Sequence, residues 1–189
     1  DVIFCSHLNF SPMCLIVKKF FKVPYVLTLY GVEALKIKGG LMRRGVRGAK
    51  QIITISEYIK GFILKQFPKV KDNIFMLPSA VDGSLFFIKE KKKELLEKLG
   101  IADKKIIITL ARLLFVKDKG QDRVLRALPY VLENVPDALY LIVGGGEDKR
   151  VNAFLKEHPE IVKHVIFTGP VPDEERVDYY NLGDVFAFP

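Results

Sequence analysis

Three basic residues interrupt the chain where an apolar run gives way to a helical pattern. Arg112 follows the run "IIITLA" (106–111), Lys119 stands directly before a glycine, and Lys117 lies in the same loop. Cationic side chains bind phosphate through charge-assisted hydrogen bonds, and the free amides at a helix N-terminus favour the same charge. The loop therefore predicts an anion site, the alternative being that Arg112 and Lys119 are exposed charges that pair with Asp118 or Asp122.

Two further loops follow apolar runs in the same way. Gly144–Gly146 comes after "LYLIV", and Thr168–Pro172 comes after "HVIF". In open α/β sheets the loops at the carboxyl ends of parallel strands bind ligands. Backbone amides in these loops, together with the cations at Arg112 and Lys119, suit a nucleoside diphosphate. Plain strand-to-helix turns are the alternative for both glycine-containing loops.

Short β-rich runs alternate with helical periods along the whole chain, which indicates parallel sheets with crossover helices. A short basic helix is predicted at roughly 40–48 and another helix at 121–134, and Ser56 is predicted as the N-cap of the helix that follows it. The composition shifts near residues 80–90, where a highly charged helix pattern ends at Gly100. The pattern predicts an α/β protein made of two Rossmann-like modules in tandem, which meet near this shift. The segment "KIIITL" (105–110) contains a continuous run of β-branched residues, which predicts a fully buried strand.

The charge is unevenly distributed. Residues 1–75 carry 13 Lys and Arg against four Asp and Glu, and the 189-residue chain as a whole carries +8. Six of these cations lie in 36–50, beside Leu41, Met42 and Val46. Such a segment is either a solvated helix face or a contact for an anionic membrane or a phosphorylated substrate. No stacking aromatic motif or zinc finger accompanies it, so nucleic acid is not expected.

Several classes of site are poorly supported by the sequence. It contains no G-x-G-x-x-G, no G-x-x-x-x-G-K-[ST] and no G-x-S-x-G motif. Cys5 and Cys14 lack the spacing of zinc ligands, and no carboxylate cluster suggests a metal. No apolar run approaches the length of a membrane span, and no signal peptide is visible. We therefore expect no metal or other cofactor, and a cytoplasmic protein.

Five segments in order resemble the nucleotide-sugar glycosyltransferases of the GT-B fold, in particular the retaining family 4 (glycosyl transferases group 1). The segments are 52–63, 73–86, 111–128, 136–148 and 165–189, or "IITISEYIKGFI", "NIFMLPSAVDGSLF", "ARLLFVKDKGQDRVLRAL", "PDALYLIVGGGED" and "VIFTGPVPDEERVDYYNLGDVFAFP". The resemblance implies two Rossmann-like modules, both truncated here: 1–82 from the N-terminal module and 83–189 from the nucleotide-sugar-binding module. The chain starts at Asp1 and stops at "DVFAFP", so we expect a fragment that lacks the family's paired glutamates.

The resemblance also implies roles for individual residues. Arg112 and Lys119 match the residues that hold the donor diphosphate, although a longer loop makes Lys117 a competitor for the second role. The backbone of the strand-end loops is expected to contact the nucleotide, at Gly144, Gly145, Gly169, Pro170 and Val171.

On the acceptor side, Tyr30 stands where the family often has a histidine. Tyr30 or Glu33 is the candidate for acceptor contacts, and Tyr30 is expected in the cleft between the modules. Asp82 belongs to the turn between modules and is expected to be structural.

The resulting prediction is a retaining transferase. It would move a sugar from a nucleoside-diphosphate-sugar donor to a hydroxyl of a saccharide or lipid-linked acceptor, with residues 36–50 on an anionic membrane. A sugar-nucleotide epimerase of related architecture, and a non-catalytic basic module that binds membrane or nucleic acid, are the alternatives.

Overall fold

The computed structural model describes residues 1–113 and 119–189. Within them the chain forms two compact units, Asp1–Val81 and Asp82–Pro189. The predicted boundary lies one residue later. Each unit contains a four-stranded parallel sheet flanked by helices, which confirms the predicted α/β class. Among the described helices, none is both long and apolar enough to cross a membrane.

The first unit has its strands in sequential order, β1-β2-β3-β4. The elements are β1 (Ile3–Cys5), α1 (Ser11–Phe21), β2 (Tyr25–Leu29), α2 (Val32–Leu35), α3 (Gly40–Gly48), β3 (Gln51–Thr54), α4 (Glu57–Gln66) and β4 (Ile74–Met76). As the sequence predicted, the Ser56 side chain caps α4 by accepting from the Ile59 N–H at 3.3 Å. The core contains Leu27, Leu29 and Ile52 from the two central strands.

The second unit has the strand order β7-β6-β5-β8. Its elements are α5 (Lys93–Leu99), β5 (Lys105–Leu110), α6 (Gln121–Asn134), β6 (Ala138–Val143), α7 (Lys149–Glu157), β7 (Val165–Gly169), α8 (Arg176–Leu182) and β8 (Val185–Phe186). Because β8 returns to the far side of β5, the order reverses between these two strands, where open sheets of this kind bind ligands.

The prediction of a fully buried β5 is wrong. Lys105 is exposed and Ile107 is half-buried, whereas all six residues of β6 are buried. The neighbour of β5 on one side, β8, has only two residues. An open groove therefore remains beside Ile107, while β6 lies between two longer strands.

Asp82 has the structural role that the sequence predicted. Its Oδ1 accepts hydrogen bonds from the backbone N–H and the hydroxyl of Ser84, at 2.8 and 2.6 Å. These bonds close the turn at the start of the second unit and hold the pKa of Asp82 below its usual range.

Candidate functional site

The loops after β5, β6 and β7 meet at one edge of the second sheet and are joined by backbone hydrogen bonds. The Leu113 N–H donates to the Gly145 carbonyl at 2.9 Å, and the Gly144 N–H donates to the Gly169 carbonyl at 3.0 Å. Both pairs of loops also form isolated β-bridges, between Leu113 and Gly146 and between Gly144 and Gly169. The three loops that the sequence singled out therefore form one connected backbone structure.

Glycine is required at several points of this structure. Gly144, Gly146 and Gly169 have φ values of 139°, 111° and 71°, in the region that side chains with a Cβ rarely adopt. The plain-turn alternative is therefore sufficient to explain these three glycines. Gly145 has no such constraint, and a Cβ built on it would meet the ring of Pro170 at 3.4 Å, an ordinary contact distance.

A cavity of about 440 Å³ opens among these loops, a volume within the range of small-molecule sites. Its lining combines the ends of β5 and β6 with the loop after β7. The residues are Leu110, Ala111, Arg112, Val143, Gly144, Gly145, Gly146, Pro170, Val171 and Arg176. Both charged groups in this lining are guanidiniums, and none of the described residues that line it is acidic. The cavity therefore suits an anionic ligand.

Arg112 and Lys119 have different neighbours. Arg112 is exposed at the cavity and, within the described part of the chain, forms no ion pair. Lys119 lies towards β8, with its ammonium 5.6 Å from the ring centre of Phe188. The structure thus brings Arg112 together with the loop Gly144–Gly146, here called the glycine loop, and places Lys119 on the side where the strand order reverses.

Two other predictions concern the same loop. Lys117 lies outside the described residues, and so does the proposed pairing with Asp118. Asp122, the other suggested partner, has a carboxylate oxygen 3.8 Å from the guanidinium of Arg150.

Asp148 fixes the start of the helix that follows the glycine loop. It is buried, and its carboxylate accepts the backbone N–H of Arg150 at 2.9 Å and the guanidinium of the same residue at 2.6 Å. The Arg150 side chain, outweighing burial, holds the pKa of Asp148 below its usual range. Asp148 is thus an ionised N-cap that anchors one end of the loop to α7.

Tyr30 and Glu33 lie in the first unit, at the turn after β2. The Tyr30 side chain is 44% exposed and lies outside the core. Glu33 Oε1 accepts the backbone N–H groups of Tyr30 and Gly31, at 2.7 and 3.1 Å. Burial opposes ionisation, but these bonds prevail and hold the pKa of Glu33 below its usual range. Glu33 therefore stabilises this turn, and acceptor contacts by either residue stay a prediction.

Arg176 is a charged residue of the described cavity lining that the sequence did not single out. It is the first residue of α8 and lines the cavity with Arg112. The sequence indicates only weakly that Arg176 belongs to a site, because it lies among other charged residues at the start of a helix. Only the packing of the β7–α8 segment against the glycine loop brings it to the cavity.

A larger groove of about 800 Å³ runs along β5, α6 and β8. Apolar side chains such as Ile107, Val124 and Phe188 dominate its lining, so it does not suit a phosphate group. Among residues 1–113 and 119–189, no group of three or more His, Cys, Asp or Glu side chains is placed to hold a metal ion.

Known proteins resemble this chain in both sequence and fold. It is 30% identical over 161 residues to the GDP-mannose-dependent α-(1-6)-phosphatidylinositol monomannoside mannosyltransferase of Mycolicibacterium smegmatis, an alignment that covers 84% of this chain and 41% of that enzyme. It is 28% identical over 149 residues to spore coat protein SA of Bacillus subtilis, covering 72% of this chain and 39% of that protein. The chain thus spans about two fifths of the length of these curated relatives.

The fold of the whole chain matches that of Anabaena HepE in complex with UDP. The TM-score is 0.77 at 17% identity, and the match covers 100% of this chain and 52% of HepE. This likeness confirms the predicted GT-B architecture. The family model of the glycosyl transferases group 1 matches residues 91–189, which include all the strands and helices around the cavity. On this match, the chain belongs to the glycosyl transferases group 1.

Proposed function

We propose that this protein takes part in the transfer of a sugar from a nucleoside-diphosphate donor to a hydroxyl acceptor, with retention of anomeric configuration. The observation that carries the proposal is the cavity at the carboxyl edge of the second sheet, lined by glycine backbone and guanidinium groups. Membership of the glycosyl transferases group 1 supports it. So do the names of relatives, which include a GDP-mannose-dependent mannosyltransferase and a UDP complex.

The chemistry follows from where charge develops. Transfer breaks the bond between the anomeric carbon and the donor phosphate, forms a bond to the acceptor oxygen, and releases the acceptor's proton. Negative charge grows on the leaving phosphate, so fixed cations stabilise the transition state more than the ground state. Arg112 would supply this charge at the cavity, with Lys119 or Lys117 as the second cation. In this proposal arginine and lysine take the place of a metal ion.

Calorimetric titration with GDP and with UDP, in separate experiments, tests the proposal. Binding of either nucleotide is expected, with a rise in melting temperature because the ligand stabilises the folded state. Binding of neither would overturn the proposal. With a nucleotide sugar and an acceptor, transfer releases the free nucleoside diphosphate, whereas an epimerase returns an intact nucleotide sugar.

We further propose that the acceptor is lipid-linked and that residues 36–50 contact an anionic membrane. Five of the six cations in this segment are exposed: Lys36, Lys38, Arg44, Arg47 and Lys50. Leu41 is 62% exposed beside them. The name of the mycobacterial relative, which acts on a phosphatidylinositol mannoside, agrees with a lipid acceptor.

The structure corrects two details of this segment. Val46 is fully buried in the core, so it is not available to a membrane, and Met42 is partly buried against the same core. The guanidinium of Arg43 lies within hydrogen-bonding distance of the carbonyls of Ile37 and Gln66, at 3.4 and 3.3 Å, and 4.5 Å from the ring centre of Phe67. Arg43 therefore stabilises the fold, and the other cations carry the proposed contact.

A further inference from the structure

The proposed donor site contains a second guanidinium, besides that of Arg112, to which neither the sequence motifs nor the family resemblance gave a role. Arg112 follows β5 and Arg176 begins α8, yet both line the same 440 Å³ cavity. Two like charges on one small cavity repel each other unless an anion lies between them. Glycine backbone and apolar side chains make up the rest of the described lining, and the carboxylate paired with Arg176, that of Asp173, is not among the described lining residues.

The bond that Arg176 makes is one that a ligand can replace. Its Nη2 lies 2.5 Å from Oδ1 of Asp173, one turn earlier in the chain, and the two side chains are 44% and 81% exposed. Exposed pairs of this kind contribute little to stability, because water solvates both charges well. A phosphate group, which accepts two parallel N–H bonds from a guanidinium, offers Arg176 a stronger partner than the exposed carboxylate.

We propose that Arg176 binds the phosphates of the nucleotide together with Arg112, and that Asp173 holds Arg176 at the rim of the cavity when no ligand is bound. The inference rests on the proposed function and adds a specific residue to it. Asp173 then acts as a positioning residue that competes with the ligand for the same guanidinium.

The two residues therefore have opposite expected effects. Arg176→Ala should weaken the binding of GDP or UDP by roughly tenfold, the effect of losing one charged hydrogen-bonding partner. Arg176→Lys should recover only part of this loss, because an ammonium does not form the paired bonds of a guanidinium. Asp173→Asn should tighten binding, since the ligand no longer competes with a carboxylate for the same guanidinium.

Calorimetry on the parent protein and these variants, with GDP and with UDP, separates the possible results. Arg123→Ala is the matched control, because it removes an exposed guanidinium of the same unit that lines the apolar groove instead. A parent that binds neither nucleotide overturns the proposed function and this inference together. If the parent binds and Arg176→Ala binds equally well, or loses no more than Arg123→Ala, only the inference is overturned.

A merely structural role for the pair predicts a different pattern. Asp173→Asn and Arg176→Ala would then lower the melting temperature alike and shift nucleotide affinity in the same direction. Opposite shifts in affinity at nearly unchanged melting temperatures support phosphate binding by Arg176.

Discussion

The Cα of Gly144 faces the carbonyl oxygen of Ala111 so closely that a Cβ at position 144 would lie 2.2 Å from that oxygen. The same relationship holds two residues further along both loops, where a Cβ on Gly146 would lie 2.0 Å from the Leu113 carbonyl oxygen. The starts of the loops after β5 and β6 thus run side by side in close contact. The position of Arg112, between Ala111 and Leu113, depends on these close contacts.

Substitution of Gly144 by alanine is therefore expected to disrupt the cavity. The backbone at φ 139° is strained for alanine, and the added methyl group must displace the main chain of Ala111. We expect a loss of roughly 1–3 kcal/mol in the free energy of unfolding, measured by urea unfolding followed by far-UV circular dichroism.

Gly145→Ala is the control within the same loop. The nearest atoms to its Cβ would be those of the Pro170 ring, at 3.4 Å, so the stability should change little while a methyl group enters the cavity and lowers nucleotide affinity. Equal losses of stability for the two variants would show that the close approach at Gly144 is not what holds the loops together.

The cations of the β5–α6 loop should differ in their effect on nucleotide binding. Arg112→Ala and Lys119→Ala are each expected to cost about 1.5–3 kcal/mol of binding free energy, or roughly 10- to 200-fold in the dissociation constant. Lys117→Ala should cost much less. Calorimetry with GDP or UDP gives these differences directly. If Lys117→Ala is the damaging change and Lys119→Ala is neutral, the second phosphate contact belongs to Lys117.

Charge reversal on the exposed basic segment should weaken attachment to anionic membranes. Each exposed cation near such a surface contributes about 1 kcal/mol, so Lys38→Glu combined with Arg44→Glu should strongly reduce co-sedimentation with phosphatidylserine vesicles. Lys149→Glu with Lys163→Glu makes the same charge change at exposed positions of the second unit and should have a smaller effect. Equal binding of the parent protein to phosphatidylcholine vesicles would contradict the proposed contact.

A buried hydroxyl pair should make the stability depend on alkaline pH. Tyr140 OH lies 2.8 Å from Thr109 Oγ1, and burial raises the pKa of Tyr140 to about 12, above about 10 in an unfolded chain. The stabilisation that the protonated Tyr140 provides is therefore complete below about pH 10 and is lost as the pH rises towards 12.

Tyr140→Phe should remove this part of the pH dependence. At neutral pH we expect it to cost about 0.5–1.5 kcal/mol, the contribution of one hydrogen bond. Between about pH 10 and 12 its stability should fall less steeply than that of the parent, as measured by urea unfolding. Tyr130→Phe changes a tyrosine that is 70% exposed and should leave the slope as it is in the parent. Parallel curves for the parent and Tyr140→Phe would refute the assignment.

Much of the local structure could be predicted from the sequence, because caps and periodicity act over a few residues. The helix predicted at 121–134 is α6 (Gln121–Asn134), and the basic helix predicted at 40–48 is α3 (Gly40–Gly48). As predicted, Ser56 begins α4 as its N-cap, and Gly100 ends α5 in the left-handed conformation that suits glycine. The meeting of the three loops at one sheet edge could also be predicted from the sequence, since parallel strands present their carboxyl ends on the same side.

The tertiary structure decided which of the candidate side chains meet. Arg176 joins Arg112 only because the segment after β7 packs against the glycine loop, a contact between residues far apart in sequence. The Glu33 carboxylate accepts a backbone N–H of the turn that precedes it. Val46 is buried although it lies in the most basic segment. Sequence patterns constrain residues within a few turns of one another. The contacts of a side chain across the sheet depend on strand order and packing, which arise only when the whole chain folds.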